Sequence, residues 1–356
     1  MNLQNLGAID CDMHPVVPAL KALVPHLPAN WREAVESRGI PGFESNAYPQ
    51  RAPITARPDW RNDAGEPPAG IDRYRKAVMD RWQLGHAIGN CIYGVHMVLS
   101  EDMAVALATA VNDWMTAEWL DADPRMRASI IVPWQNPERA ADEIDRCAAD
   151  RRFVQVLMPV MAEAPLGRRH YWPIYKAAER HGLPIGIHAG SAYRFPVTPV
   201  GWPSYYVEDY AAQSLGFQGQ LGSLICEGVF SKFPNLKVVM IESGVSWFTP
   251  FLWRLTKFWR GTRSEVPWVD RPPIEIARDH IRLTAQPLDA PDDVETVGRI
   301  IDQFQSDEML LFASDYPHWQ FDNDEVVPAG LSAISIEKMA VQNPLATYPR
   351  LRETRL

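Results

Sequence analysis

The sequence predicts an α/β fold, a (β/α)8 barrel of the TIM-barrel type formed by residues 1–356 as one domain. Three observations predict it. Eight short apolar runs recur along the chain, segments of helical periodicity separate most of them, and histidines and carboxylates stand at the carboxyl ends of the runs. The runs are 8–12, 91–95, 128–132, 153–157, 184–187, 236–241, 281–284 and 309–313. Each has strand length, and alternation with helices implies parallel pairing through crossover connections. In 101–120, Met103, Leu107, Ala110, Val111 and Trp114 share one helical face, as Val294, Val297, Ile301 and Phe304 do later. Further helices are expected at 137–149, 172–181, 209–230, 247–258 and 336–342. An open dinucleotide-binding sheet would need about six strands and a glycine fingerprint, and the sequence has no such fingerprint.

Two stretches depart from the repeat. Residues 15–89 hold ten of the 31 prolines and read as a proline-rich insertion after the first strand, with one short helix at 30–37. Residues 192–207, after the fifth strand, are rich in aromatics and proline. Long loops at these positions lie on the catalytic face of a barrel, although they could equally cover apolar surface or form an interface. Residues 332–356 read as a C-terminal helical tail.

Composition narrows the function. The net charge of −9, from 35 basic and 44 acidic side chains, and the absence of a Lys/Arg cluster argue against a nucleic-acid partner. No apolar run approaches the roughly 18 residues of a membrane helix. The four cysteines form no CxxC pair and the first residues have no leader pattern, so the expected compartment is a reducing cytoplasm.

The positions of the polar residues carry the chemistry. Asp12 and His14 end the first run, His96 the second, His188 the fifth, Glu242 the sixth, and Asp315 and His318 the eighth. In a barrel these ends converge on one mouth, and a metal site needs imidazoles and carboxylates gathered from several strands. Singly, each has a structural alternative. His188 could be a satisfied core histidine, Asp315 a turn cap and Glu242 a helix cap. His96 could merely line the mouth. Their agreement on one place favours the metal.

Asp12 to His14, Gly186 to Gly190 around His188, Phe233 to Gly244 and Phe312 to His318 together resemble the amidohydrolase superfamily. The likeness is to the amidohydrolase-related branch that includes aminocarboxymuconate-semialdehyde decarboxylase and aromatic acid decarboxylases, and it extends in order from Ile9 to about Pro344. The resemblance implies one divalent metal bound by Asp12, His14, His188 and Asp315, with zinc the first expectation and manganese or iron the alternatives. Two departures stand out. Asp12 replaces the first histidine of the common HxH pair, which makes the site harder, and Glu242 stands where the decarboxylase has a histidine. No lysine ends the fourth run, so a carbamylated-lysine binuclear centre is not expected.

Catalytic candidates are Asp315, His188, His318 and Glu242. In a hydrolase the metal would activate water and Asp315 would take its proton; in a decarboxylase Asp315 would protonate carbon before carbon dioxide leaves. A dinuclear-metal oxygenase using Glu242, His96 and His318, and a non-catalytic partner subunit with a structural metal, stay open beside them. Candidate substrate contacts are Trp202, Tyr205, Tyr206, Arg194 and Trp319, with Trp134, Met158 and Trp247 as further walls, which suits a small aromatic or carboxylate-bearing molecule. By analogy with the family a homo-oligomer, a dimer, is expected, and Trp253, Phe258, Trp259 and Trp268 are candidates for its interface.

Overall fold

The structure is a computed structural model that describes residues 3–43, 56–63, 65, 69–191, 195–291, 293–318 and 327–353. Eight strands form one parallel sheet in sequence order: β1 (Ile9–Met13), β2 (His86–Gly89), β3 (Met126–Ile131), β4 (Phe153–Met161), β5 (Ile185–Ser191), β6 (Val238–Ile241), β7 (Ile281–Thr284) and β8 (Leu310–Leu311). The sheet curls back on itself. Backbone hydrogen bonds from Cys11 N to Phe312 O (2.9 Å), from Asp315 N to Asp12 O (3.0 Å) and from His14 N to Tyr316 O (2.7 Å) join β1 to the segment after β8. The barrel expectation therefore holds, and the joining bonds fall at the residues that carry the chemistry.

The helices follow local signals. Ser100 caps Glu101–Met115 by accepting from Met103 N, Asn136 caps Pro137–Cys147 by accepting from Arg139 N with Pro137 in the first turn, and Asp293 caps Val294–Asp302 by accepting from Thr296 N. Trp172–Arg180, Tyr206–Cys226 and Phe248–Thr262 complete the longer helices expected from periodicity. Pro273–His280 departs from the sequence reading, because its buried residues Pro273, Ile276, Ala277 and His280 span only eight positions, too few to show a period.

The second strand is a correction. The apolar run places the second strand at 91–95, but the strand is His86–Gly89, and 91–95 leads into a tight turn at Gly94–Met97. A Cβ at Gly94 would lie 2.5 Å from the Phe43 carbonyl oxygen, so this segment is held close against another backbone. The stretch between β1 and β2 contains Ala29–Arg38 and a helix at Ile71–Tyr74 that widens into a turn at Arg75–Met79.

The larger apolar core lies between sheet and helices, and a smaller one fills the barrel with Ile9, Cys11, Ile88, Leu157, Val239, Ile241 and Leu311. Tyr348 and Leu351 of the C-terminal segment belong to that inner cluster. Arg350 donates to the carbonyls of Phe153, at the start of β4, and His181, ahead of β5, so the tail closes the floor opposite the mouth.

Candidate metal centre

At the mouth, side chains from β1, β5 and the turns after β6 and β8 meet. Donor atoms of Asp12, His14, His188 and Glu242 lie within 4.8 Å of one another, and so do those of His14, Glu242, Asp315 and His318. His14 and Glu242 belong to both groups. His14 Nε2 is 2.8 Å from Glu242 Oε1 and 3.1 Å from Asp315 Oδ1, while His188 Nε2 is 3.4 Å from Asp12 Oδ1 and 3.5 Å from Glu242 Oε1. His318 Nδ1 lies 3.0 Å from Asp315 Oδ1.

Two backbone features aim these carboxylates. Glu242 (φ 56°) and Asp315 (φ 52°) occupy the left-handed region, uncommon for residues with a Cβ and concentrated at functional sites. Glu242 is fixed there by its backbone N–H donating to Thr284 Oγ1 on β7, at 2.9 Å. Asp10, beneath the site, holds the Asp315 turn by accepting from Ser314 N (2.8 Å) and Ser314 Oγ (2.5 Å).

The site fits a divalent cation. Asp12 Oδ2, His188 Nε2 and Asp315 Oδ2 are buried without a hydrogen-bond partner, which is costly unless a ligand completes them. His188 Nδ1 donates to the Ala189 carbonyl at 2.8 Å, which leaves the lone pair of Nε2 aimed into the cluster, the usual presentation of a metal-binding imidazole. Three carboxylates share this buried space with three imidazoles. Burial works against charge on His14, yet Asp12, Asp315 and Glu242 outweigh it and hold the ring well above its ordinary range, a field that equally attracts a metal ion.

The two carboxylates common to the second group are pushed apart. Burial and then the charge of Glu242 raise Asp315, which therefore keeps its proton more readily. Burial also acts on Glu242, but His188 and His14 hold it well below the usual range, so it stays ionised. His318, opposed by burial and by His14 but favoured by Asp315 and Glu242, rises to about 9.

The other candidates are distributed differently. His96 is buried in the Gly94–Met97 turn, its Nε2 3.0 Å from Val132 O and its ring against Trp134, and it joins neither donor group. Met158 is fully buried in the larger core, and Trp247 is buried with its indole N–H donated to Ser243 O. Trp202 and Tyr205 are exposed, and Tyr206 meets Tyr210 edge to face at 4.8 Å. Arg194 and Trp319 lie outside the described residues. Tyr210, not singled out from sequence, is raised by burial, by Tyr206 and by the charges of Glu242 and Asp315, so it stands near the carboxylates. Its period on the Tyr206–Cys226 helix is that of an ordinary core residue.

Known proteins resemble this chain in sequence and in fold. The family profile described as amidohydrolase matches residues 9–350. The γ-resorcylate decarboxylase of Polaromonas sp. is 24% identical over 248 residues, 64% of this chain and 71% of that protein. Among solved structures, a 5-carboxyvanillate decarboxylase of Novosphingobium aromaticivorans complexed with manganese and 4-hydroxy-3-methoxy-5-nitrobenzoic acid has TM-score 0.70 at 20% identity, covering 98% of this chain and 99% of its own. A dihydroxybenzoic acid decarboxylase of Polaromonas sp. with bound manganese and 2-nitroresorcinol has TM-score 0.67 at 18% identity, covering 100% and 98%. The profile match runs from β1 into the tail that closes the floor, and on that extent the chain belongs to the amidohydrolase family.

Proposed function

We propose that this protein is a metal-dependent carboxy-lyase that removes carbon dioxide from a hydroxylated aromatic carboxylate. The observation that carries the reading is one buried cluster of three carboxylates and three imidazoles at the barrel mouth with ligand atoms left unpartnered, in which burial raises Asp315 toward its protonated form. The relatives' names supply the substrate class.

Asp12, His14, His188 and Glu242 would hold the metal, with Asp315 beside it. Bound there, a divalent ion would chelate the substrate's carboxylate and phenolic oxygens and stabilise negative charge on them. We assign manganese rather than zinc, because the carboxylate-rich donor set is hard and two structural neighbours hold manganese. Asp315 delivers its proton to the ring carbon that bears the carboxylate. The bond from that carbon to the carboxylate then breaks, its electron pair returns to the ring, and carbon dioxide leaves. His318, partly open to solvent, returns a proton to Asp315 across their 3.0 Å contact. Tyr206 and Tyr210 form an aromatic wall for the ring, and we assign Trp202 and Tyr205, exposed nearby in sequence, to substrate contact. The protein works as a dimer through the exposed Trp253 and Phe258 of the Phe248–Thr262 helix; a monomer in sedimentation velocity would remove that assignment.

The test is carbon dioxide release from a panel of hydroxybenzoates by protein reconstituted with Mn2+ or Zn2+, alongside ester, amide and lactone substrates. Asp315→Asn should retain metal and lose on the order of 10² to 10⁴ in kcat. Hydrolysis without carbon dioxide release would replace this reading with a hydrolase. Two metal ions per chain and oxygen uptake would favour the oxygenase.

A further inference from the structure

The metal ligand Asp12 is tied to the floor of the barrel by a line of buried polar groups. Tyr348 Oη, in the C-terminal segment, donates to Gln155 Oε1 at 3.1 Å. Gln155 Nε2 donates to Ser129 Oγ at 2.8 Å and to Asn90 Oδ1 at 3.2 Å, and Ser129 Oγ donates to the same Asn90 oxygen at 2.5 Å. Asn90 Nδ2 then donates to Asp12 Oδ1 at 2.8 Å. None of the five residues is more than 2% exposed.

This line has a direction. Each member accepts from the floor side and donates toward the mouth, so the group at the end of the line must accept, as the Asp12 carboxyl oxygen does. Asn90 cannot turn its amide over, because its oxygen already takes two donors. The fold makes room for the arrangement: a Cβ at Gly186 on β5 would lie 2.6 Å from Gln155 Cδ and Nε2. Barrel interiors are ordinarily filled by branched apolar side chains, and a polar line inside one is costly unless every member is satisfied.

We propose that Asn90 is a positioning residue for the metal, the last member of a one-way hydrogen-bond line that begins at Tyr348 and fixes the rotation of the Asp12 carboxylate. The proposal rests on Asp12 being a metal ligand. Asn90 holds one carboxylate oxygen, and Asp12 Oδ2 is left buried without a partner. Partners of this kind commonly govern metal affinity on the order of 10- to 100-fold. Tyr348 comes from the C-terminal segment that closes the floor and is not itself a ligand, so removing its hydroxyl tests the line from the end remote from the metal.

The experiment titrates Mn2+, and separately Zn2+, into metal-stripped wild type, Asn90→Ala and Tyr348→Phe, with the melting temperature of each stripped protein measured beside it. Asn90→Ala should weaken binding by about 10- to 100-fold, and Tyr348→Phe by a few-fold, each beyond any change common to a control such as Thr256→Ala in the outer helices. Wild-type affinity in both variants, whatever their melting temperatures, overturns the line as a positioning device. If Asn90→Ala fails to fold, Tyr348→Phe alone decides, since it removes one oxygen and keeps the ring. Failure of wild type to bind either ion would instead overturn the metal reading itself.

Discussion

Glu242 and Asp315 show how much the site depends on single residues in unfavourable backbone conformations. A left-handed residue with a Cβ costs on the order of 1–3 kcal/mol, and both are held from other strands, Glu242 by Thr284 on β7 and the Asp315 turn by Asp10 on β1 through Ser314. Sequence identified the residues because their types and strand-end positions carry the signal; it could not identify their φ angles, which depend on contacts distant in the chain. His96 shows the converse. Its position matched the other donors only because the second strand was placed too late, and the structure buries it against Trp134 with burial pulling it down to about 3. An unfolded histidine titrates near 6.5. Stability due to the neutral ring is therefore complete above that pH and is lost as pH falls toward 3, where only the unfolded chain has been binding the proton. His96→Gln keeps a donor for Val132 O and removes the titration. Its urea midpoint should fall less steeply than wild type between about pH 7 and 4, and parallel slopes would show that His96 is not held neutral.

At the scale of elements, the joining of β1 to the segment after β8 decides the geometry of the mouth. Backbone bonds make part of that seam, and the Asp10 carboxylate makes the rest by accepting from Tyr74 Oη (2.6 Å), Ser314 Oγ (2.5 Å) and Ser314 N (2.8 Å). Burial pushes this carboxyl up to about 6 while its hydrogen bonds from Ser314 and Tyr74 oppose the rise. Asp10 gives no signal in the sequence, because one polar residue inside an apolar run is not distinguishable from an exposed edge position. Asn90 was hidden for another reason. It follows β2 directly, the position where a functional residue is expected, but a strand placed at 91–95 puts it ahead of the strand instead. Tyr74→Phe removes one bond to a buried carboxylate and should cost about 2 kcal/mol by urea unfolding. Because the seam also sets Asp315, kcat should fall with little change in KM. A loss of stability with kcat intact would confine Asp10 to a purely structural role.

For the whole molecule, alternation of strands and helices is a local property, repeated often enough to be read without knowing any contact, and convergence of the strand ends follows from it. How the barrel is sealed at its floor is not local. Tyr348, Arg350 and Leu351 sit far along the chain from the strands they cover, and nothing in their spacing announces it. Arg350 is 1% exposed, and its guanidinium donates to Phe153 O at 2.9 Å and to His181 O at 3.2 Å. His181 follows the last turn of Trp172–Arg180, where carbonyls lack helical partners and a cation is favoured. Arg350→Met preserves most of the volume but leaves these buried carbonyls without their donor, at about 1–3 kcal/mol for each group left unsatisfied. The denaturation midpoint should therefore drop clearly, in a single transition, because the tail packs on the same inner cluster that supports every strand. A two-step transition, with the tail lost before the barrel, would mean that the floor is an appendage and that the interior stands without it.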